Sequence, residues 1–137
     1  TGDVLWHMGK GRANEFTFID DPYNGFSHQH ASYELENGNI LLFDNGLDHI
    51  QKLSRVLEYK IDEVAKTATL VFSKDFPTYQ AYVAGNAFRQ DNGNTIAAFG
   101  SQGYVEEFDN QGWPVLSYRQ GGLIYQAMKS KLPWRNE

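Results

Sequence analysis

Two of the four histidines, His28 and His30, lie one residue apart, shortly before an apolar strand-like run. A neutral imidazole can serve as a nucleophile, a general base or a metal ligand. No HExxH motif, cysteine or acidic partner at metal-ligand spacing accompanies the pair, which argues against a zinc site. Residue type and spacing alone leave two interpretations open, a chemical site and a pair of hydrogen-bonded loop residues.

A second polar cluster, FDNGLDH, places Asp44, Asn45 and Asp48 close together and ends at His49. Carboxylate and amide oxygens are calcium ligands, but the regular spacing and closing Glu of an EF-hand loop are absent. We therefore predict a turn whose side chains bond to their own backbone, and no metal site. His49 and His7 are predicted to be structural or surface residues.

Composition narrows the class of protein. The 137 residues are 41% hydrophobic and 15% aromatic, which is typical of one folded domain. A formal charge of −5 gives no basic surface for nucleic acid. Without cysteine, the chain has no disulfide, Cys nucleophile or thiolate metal site. No apolar run is long enough to span a bilayer, and the opening TGDVLWHM is expected to come from a longer or processed chain.

The elements that must position these residues are short strands. Apolar runs rich in Val, Ile, Leu, Tyr and Phe recur between turn residues, and helical periodicity is scarce. The predicted strands are DVLWHM, NILLFD, SRVLEYKID, TATLVFS, AYVAGNAF, NTIAAFG, GYVEEFD and WPVLSYR. Alternation in RVLEYKID predicts a sheet with one face better buried. ENGN, DNGN and DNQG predict three hairpin turns of one kind.

The turns belong to a repeat. HASYELENGNILLFDNG aligns with GNAFRQDNGNTIAAFGSQG, which gives blade-like repeats over about 28–75 and 82–120 within a single segment, 1–137. Repeated antiparallel units of this size predict β-propeller blades, of which the chain holds roughly two and a half to three, whereas closed propellers have about 4–8. The fold class is therefore all-β, and a sandwich of two small sheets is the alternative.

Several segments, in order along nearly the whole chain, resemble the C-terminal portion of the bacterial arylsulfotransferase (aryl-sulfate sulfotransferase) family. They are GDVLWHMGKG, NEFTF, FSHQHA, NGNILLFDNG, SRVLEYKIDEVAKTATLVF, GNAFRQDNGNTIAAFGS, VEEFDNQGWPVLSYR and YQAMKSKLPW. The resemblance implies a six-bladed propeller and a histidine that carries a sulfuryl group from an aryl sulfate to a phenol. That histidine matches His30, while His28 has no matching family role and is predicted to lie in loop packing or at a rim. Neither a nucleotide cofactor nor a metal is implied.

The resemblance also shows what the chain lacks. The family's His-x-Asn pair and a further Arg and His belong to blades N-terminal to the matched portion. Arg55, in Ser54-Arg55, is the one nearby basic residue that matches. We predict either a structural or site role, in the latter case anion stabilisation, or an exposed strand-edge charge. Arg119 and Lys129 are predicted to be surface residues, and Trp6, Trp113 and Trp134 to be blade core.

Two functional hypotheses follow. The first is a sulfuryl transferase segment that acts on aryl sulfates and phenols, together with the remaining blades or another copy of the chain. The second is a non-catalytic propeller segment used for binding or scaffolding, and a small β-domain that shares only blade geometry is a weaker third. The resemblance implies a periplasmic or secreted location, with no nucleic acid partner and no membrane span.

Overall fold

A computed structural model describes residues 2–129, and it contains nine β-strands, one 3₁₀ turn at Gly100–Gln102 and no α-helix. The all-β prediction is confirmed. The strands are β1 Thr17–Ile19, β2 His30–Glu34, β3 Ile40–Asp44, β4 Ser54–Asp62, β5 Thr67–Phe76, β6 Asn86–Arg89, β7 Thr95–Phe99, β8 Tyr104–Phe108 and β9 Pro114–Arg119. No helix among these residues is long and apolar enough to cross a bilayer.

Two sheets account for all nine strands. The first has the order β1-β5-β4-β3-β2, in which β2 to β5 form an antiparallel meander and β1 pairs in parallel with β5 at the edge. The second is the antiparallel meander β6-β7-β8-β9. Within residues 2–129 the sheets do not close into a ring. The prediction of a strand at DVLWHM is wrong, since residues 3–8 run without ladder pairing, and AYVAGNAF is a strand only from Asn86 onwards.

Three hairpin turns share one geometry, as predicted. In the first, the Gly38 N–H donates to the Leu35 carbonyl at 2.9 Å and the Leu35 N–H donates to the Asn39 carbonyl at 2.8 Å. The same pair of bonds recurs at Gln90–Asn94 and Asp109–Trp113. Only the glycine takes a positive φ, +82° at Gly38, which is the pattern of a type I turn followed by a bulge.

The first sheet is buried on both faces. Leu41, Phe43 and Val56 pack with residues of the second sheet, including Phe99 and Phe108. The opposite face, formed by Leu42, Leu57 and Tyr59, is covered by the N-terminal segment through Phe16 and Phe26. The prediction of one better-buried face in RVLEYKID is therefore wrong for its first half, because residues 54–59 of β4 are all buried.

The tryptophans have different environments. Trp6 is half-buried and packs edge-on against Phe16, with ring centroids 5.2 Å apart, so it lies against the core of the first sheet, close to the predicted core position. Trp113 follows a hairpin turn and is 68% exposed, so its assignment to the core is wrong. Trp134 lies outside the described residues.

Candidate functional site

His30 is the first residue of β2, the edge strand of the first sheet, and its side chain is half-buried. It pairs in register with Phe43 of β3. The neighbouring strand is buried in the core, so the backbone at His30 is held against a rigid surface. An edge position leaves one side of the strand free of ladder partners.

The backbone around His30 is irregular in a way that re-aims the side chain. The register of β2 against β3 shifts between His30 and Tyr33, so an extra residue is accommodated there. His28 and Ala31 have positive φ values of +56° and +50°, which are uncommon for residues with a side chain. Bulges and strained backbone of this kind concentrate next to functional sites.

One ring nitrogen of His30 is bonded to the protein. Its Nδ1 lies 2.9 Å from Asn45 Oδ1 and 3.2 Å from the His28 carbonyl oxygen. Asn45 is fully buried, and its Nδ2 donates to the carbonyl oxygens of Ala81 and Ala84 at 2.8 and 3.0 Å. Asn45 therefore ties the histidine to the loop that connects the two sheets.

Glycine is required next to Asn45. Gly46 has a φ of +68°, and a Cβ added there would lie within 2.1 Å of the Leu53 carbonyl oxygen. A side chain would thus meet both strained backbone and a fixed atom. The close approach of Gly46 to Leu53 brings the turn after β3 against the start of β4, where Ser54 and Arg55 lie.

Arg55 lies at the centre of a buried charge network beneath the site. Its side chain is fully buried, its Nε and Nη2 donate to Asp44 Oδ2 at 2.9 and 2.7 Å, and its Nη1 donates to Asp21 Oδ1 at 3.0 Å. Nη2 also donates to the Gly25 carbonyl at 3.1 Å. The alternative of an exposed strand-edge charge is wrong. With three nitrogens bonded to protein oxygens, the guanidinium is well placed to position loops.

Hydrogen bonds to Asp21 hold the loop that leads to His30. Its carboxylate accepts hydrogen bonds from the Tyr59 hydroxyl, from Arg55 and from the N–H groups of Tyr23 and Gly25. Burial by itself would raise the pKa of Asp21, but the hydrogen bonds from Tyr59, Tyr23 and Arg55 outweigh it and lower the pKa below its usual value. The same burial, reinforced by Asp21, raises the pKa of the Tyr59 hydroxyl.

This lowered pKa predicts a loss of stability in acid. An unfolded aspartate titrates near pH 4, so Asp21 contributes its full stabilisation above that pH and loses it as the pH falls through the lower folded pKa. We expect the free energy of unfolding, measured by urea denaturation, to fall steeply below about pH 4. In Asp21→Asn this acid-dependent part should shrink, because the titrating group is gone.

A matched control for the acid experiment is Asp91→Asn, in an exposed turn. That variant should keep the wild-type acid dependence. An Asp21→Asn profile parallel to wild type from pH 5 to pH 2, on either side of the unfolded aspartate pKa of about 4, would contradict the assignment.

The side chains of the other polar candidates are bonded to neighbouring protein groups. Asp44 Oδ1 accepts from the N–H groups of Gly46 and Ser27, both at 2.9 Å, and the bond to Gly46 is of the predicted local kind. For Asn45 and Asp48 the prediction of side chains bonded to their own turn is wrong, since their side chains contact residues outside it. His49 is buried, with Nε2 3.0 Å from Asp44 Oδ2. His28 is exposed, with Nε2 3.4 Å from Asp48 Oδ2. Among residues 2–129 there is no group of three His, Cys, Asp or Glu residues arranged to hold a metal ion.

The other residues that the sequence predicts to lie at the surface are exposed. Lys129 is 63% exposed, with Nζ 3.7 Å from Glu107 Oε2. Arg119 is exposed on β9, with its guanidinium 5.2 Å from the centroid of the Tyr79 ring. His7 is exposed as well, 3.5 Å from Glu15.

Two cavities lie near the site without including His30 in their linings. One of about 170 Å³ includes Gln29, Ser32 and Tyr33 in its lining, on either side of His30 in sequence. Another, of about 560 Å³, is lined by residues that include Lys10, Tyr23 and His49. Lys10 Nζ lies 3.2 Å from His49 Nδ1.

Sequence reasoning missed the contacts that Asn45 makes with His30 and that Asp21 makes with Arg55. The sequence predicts only a turn at Asn45, and Asp21 lies in the connection before His28 without any motif of its own. Asp44-Asn45 at the end of β3 looks like an ordinary turn signal, so the sequence carries no sign that these side chains are buried and bonded to distant segments.

Comparison with known families identifies a match over most of the chain. The model of the arylsulfotransferase (ASST) family matches residues 2–121, nearly the whole chain. This confirms the resemblance inferred from the ordered motifs. A search of curated proteins finds no significant match.

Proposed function

Because the chain belongs to the arylsulfotransferase family, we propose that it takes part in sulfuryl transfer from an aryl sulfate to a phenolic acceptor, with His30 as the nucleophile. The observation that supports His30 is its setting. It is a half-buried imidazole on a bulged edge strand, flanked by two residues of positive φ and bonded at one nitrogen to a buried amide. No other histidine of the described chain combines these features.

The proposed reaction has two steps. In the first, the lone pair of a His30 ring nitrogen attacks the sulfur of the aryl sulfate, the N–S bond forms, and the S–O bond to the ring breaks, so that phenolate leaves with the electron pair. In the second, the oxygen of an acceptor phenol attacks the same sulfur, its proton passes to solvent or the departed phenolate, and the N–S bond breaks. Two such displacements give ping-pong kinetics.

The negative charge on the transferred sulfuryl group requires hydrogen-bond donors in the site. The three sulfuryl oxygens share negative charge, and fixed donors around them would stabilise the transition state. Arg55 is engaged by Asp44 and Asp21, so we assign it to positioning the site in preference to direct contact with the anion. The sequence contains no His-x-Asn pair, and we propose that further propeller blades or another copy of the chain supply the donors.

The sheets fit this arrangement as blades. Each contains a meander of four antiparallel strands, β2 to β5 and β6 to β9, and the two pack face to face through one apolar cluster. We propose that they are neighbouring blades of a six-bladed propeller, over about 28–75 and 82–120. A periplasmic or secreted location is part of the same proposal.

The test is covalent labelling. The chain is incubated with a chromogenic aryl sulfate, denatured, digested and analysed by mass spectrometry, with the native mass recorded in parallel. We expect one SO₃ unit on the peptide that contains His30, and loss of that unit on addition of a phenol. The native mass then gives the number of chains that make up the site.

The missing His-x-Asn pair favours one alternative, a non-catalytic propeller segment that binds or scaffolds. That alternative predicts no label on any histidine, whether the chain is alone or joined to blades that carry a His-x-Asn pair. Label on His30 only in the joined protein would support the proposal that the site is shared between blades. Label on a different histidine would contradict the assignment of His30.

A further inference from the structure

We propose that Asn45 is a positioning residue that holds His30 in the tautomer protonated at Nδ1 and leaves Nε2 as the nitrogen with the free lone pair. The tautomer follows from hydrogen bonding alone. Its catalytic consequence rests on the proposed function.

The orientation of the Asn45 amide is determined by its neighbours. One end of the amide lies 2.8 and 3.0 Å from the carbonyl oxygens of Ala81 and Ala84. A carbonyl oxygen only accepts hydrogen bonds, so the end that faces both must be the NH₂ group, which has two hydrogens to donate. The opposite end, which faces His30, is therefore the oxygen Oδ1.

The orientation of Asn45 then determines the proton on His30. Nδ1 lies 2.9 Å from Asn45 Oδ1 and 3.2 Å from the His28 carbonyl oxygen. Both neighbours only accept hydrogen bonds, so Nδ1 must carry the hydrogen. A neutral imidazole carries a single N–H, and Nε2 is consequently unprotonated. A nucleophilic attack on sulfur needs such a lone pair.

Asn45 is itself held rigidly. The Ser54 hydroxyl accepts from the Ala81 N–H at 2.9 Å and lies 3.4 Å from the Asn45 carbonyl oxygen. The preceding residue, Asp44, is fixed by Arg55. The end of β3, the start of β4 and the loop between the sheets therefore meet at this one amide. Its position fixes both the direction of the His30 ring and its tautomer.

His49 provides an internal contrast, because its surroundings impose the opposite tautomer. Its Nε2 lies 3.0 Å from Asp44 Oδ2, an acceptor, while its Nδ1 lies 3.2 Å from Lys10 Nζ, a donor. Arg55 Nη2 is also 3.3 Å from Nε2, but its two hydrogens are donated to Asp44 Oδ2 and to the Gly25 carbonyl oxygen. His49 is thus expected to carry its hydrogen on Nε2. The two histidines should give distinguishable patterns in one spectrum.

The first experiment measures the tautomers directly. The full chain is labelled with ¹⁵N-histidine, and long-range ¹H–¹⁵N correlation spectra are recorded without substrate at a mildly alkaline pH. His30→Gln and His49→Gln identify the two spin systems. We expect the ¹⁵N chemical shift typical of an unprotonated imidazole nitrogen at Nε2 of His30 and at Nδ1 of His49. A His30 spectrum with its hydrogen on Nε2 overturns the proposal, and no sulfuryl donor is involved.

The second experiment links the tautomer to turnover. In Asn45→Ala the acceptor is lost, so the His30 signals should move toward a mixture of tautomers, and kcat for sulfuryl transfer should fall about 10- to 100-fold with little change in KM. Activity is measured in the assembly that forms the His30 adduct. Asn39→Ala, which removes an amide bonded to Glu58 at the far end of the same hairpin, should leave both the tautomer and kcat unchanged.

The outcomes separate the two proposals. An Nδ1–H tautomer in a protein that never forms a sulfuryl adduct keeps the assignment of Asn45 and contradicts the proposed function. A sulfuryl adduct at His30, in a protein whose His30 is protonated on Nε2, supports the proposed function and contradicts the assignment of Asn45. Equal kcat in Asn45→Ala and wild type overturns the positioning role even where the tautomer is as expected.

Discussion

Replacing His30 with alanine is expected to abolish sulfuryl transfer and to remove the covalent label from the chain. The side chain is the proposed site of the N–S bond, and loss of a covalent nucleophile lowers kcat by at least about 10³-fold. The measurement is release of the chromogenic phenol, together with the mass of the denatured chain. Alanine also removes one hydrogen bond to Asn45, which leaves a buried acceptor unpaired at a cost of about 1–3 kcal/mol.

The matched control is His28→Ala, two residues away. His28 is exposed, and its side chain contacts the carboxylate of Asp48, so its loss should change kcat less than about threefold because exposed ion pairs contribute little. His30→Gln keeps a side chain of similar length and controls for a general disturbance of the loop by the alanine substitution. Wild-type turnover in either His30 variant would contradict the assignment, as would equal loss in the His28 variant.

Replacing Arg55 with alanine is expected to destabilise the fold by about 3–5 kcal/mol, because it leaves buried carboxylates without their partner. Asp44 and Asp21 are both fully buried at the side chain and both bonded to the guanidinium. Arg55→Lys should recover only part of this loss, since an ammonium cannot present the planar set of donors that bridges two carboxylates. The measurement is the free energy of unfolding from urea denaturation.

Arg119→Ala is the control for Arg55. Arg119 is exposed on the edge strand β9, so its removal should cost less than about 1 kcal/mol. Similar unfolding free energies for the two alanine variants would show that the buried network does not stabilise this fold. A large loss confined to Arg55 would support its assignment as the residue that anchors the loop containing Asp21 and the turn after β3.

The strands and turns were largely readable from the sequence because both depend on local rules. Apolar runs such as NILLFD and NTIAAFG form β3 and β7. Asn-Gly after an acidic residue gives two of the three predicted hairpins, and DNQG gives the third. DVLWHM failed for a physical reason. Strand propensity reflects side-chain packing more than an intrinsic backbone preference. In this run Trp6 and Met8 pack against the face of the first sheet, whereas Val4 and Leu5 are exposed.

The sequence by itself determined the family and singled out His30, since the ordered motifs are a property of the chain. Only the tertiary structure decided what His30 touches and what Arg55 does. Asn45 reaches His30 across a hairpin, and Arg55 meets Asp21 across 34 positions of sequence. Such contacts depend on register, on the bulge in β2 and on loop closure, where a slip of one residue would turn every side chain to the other face.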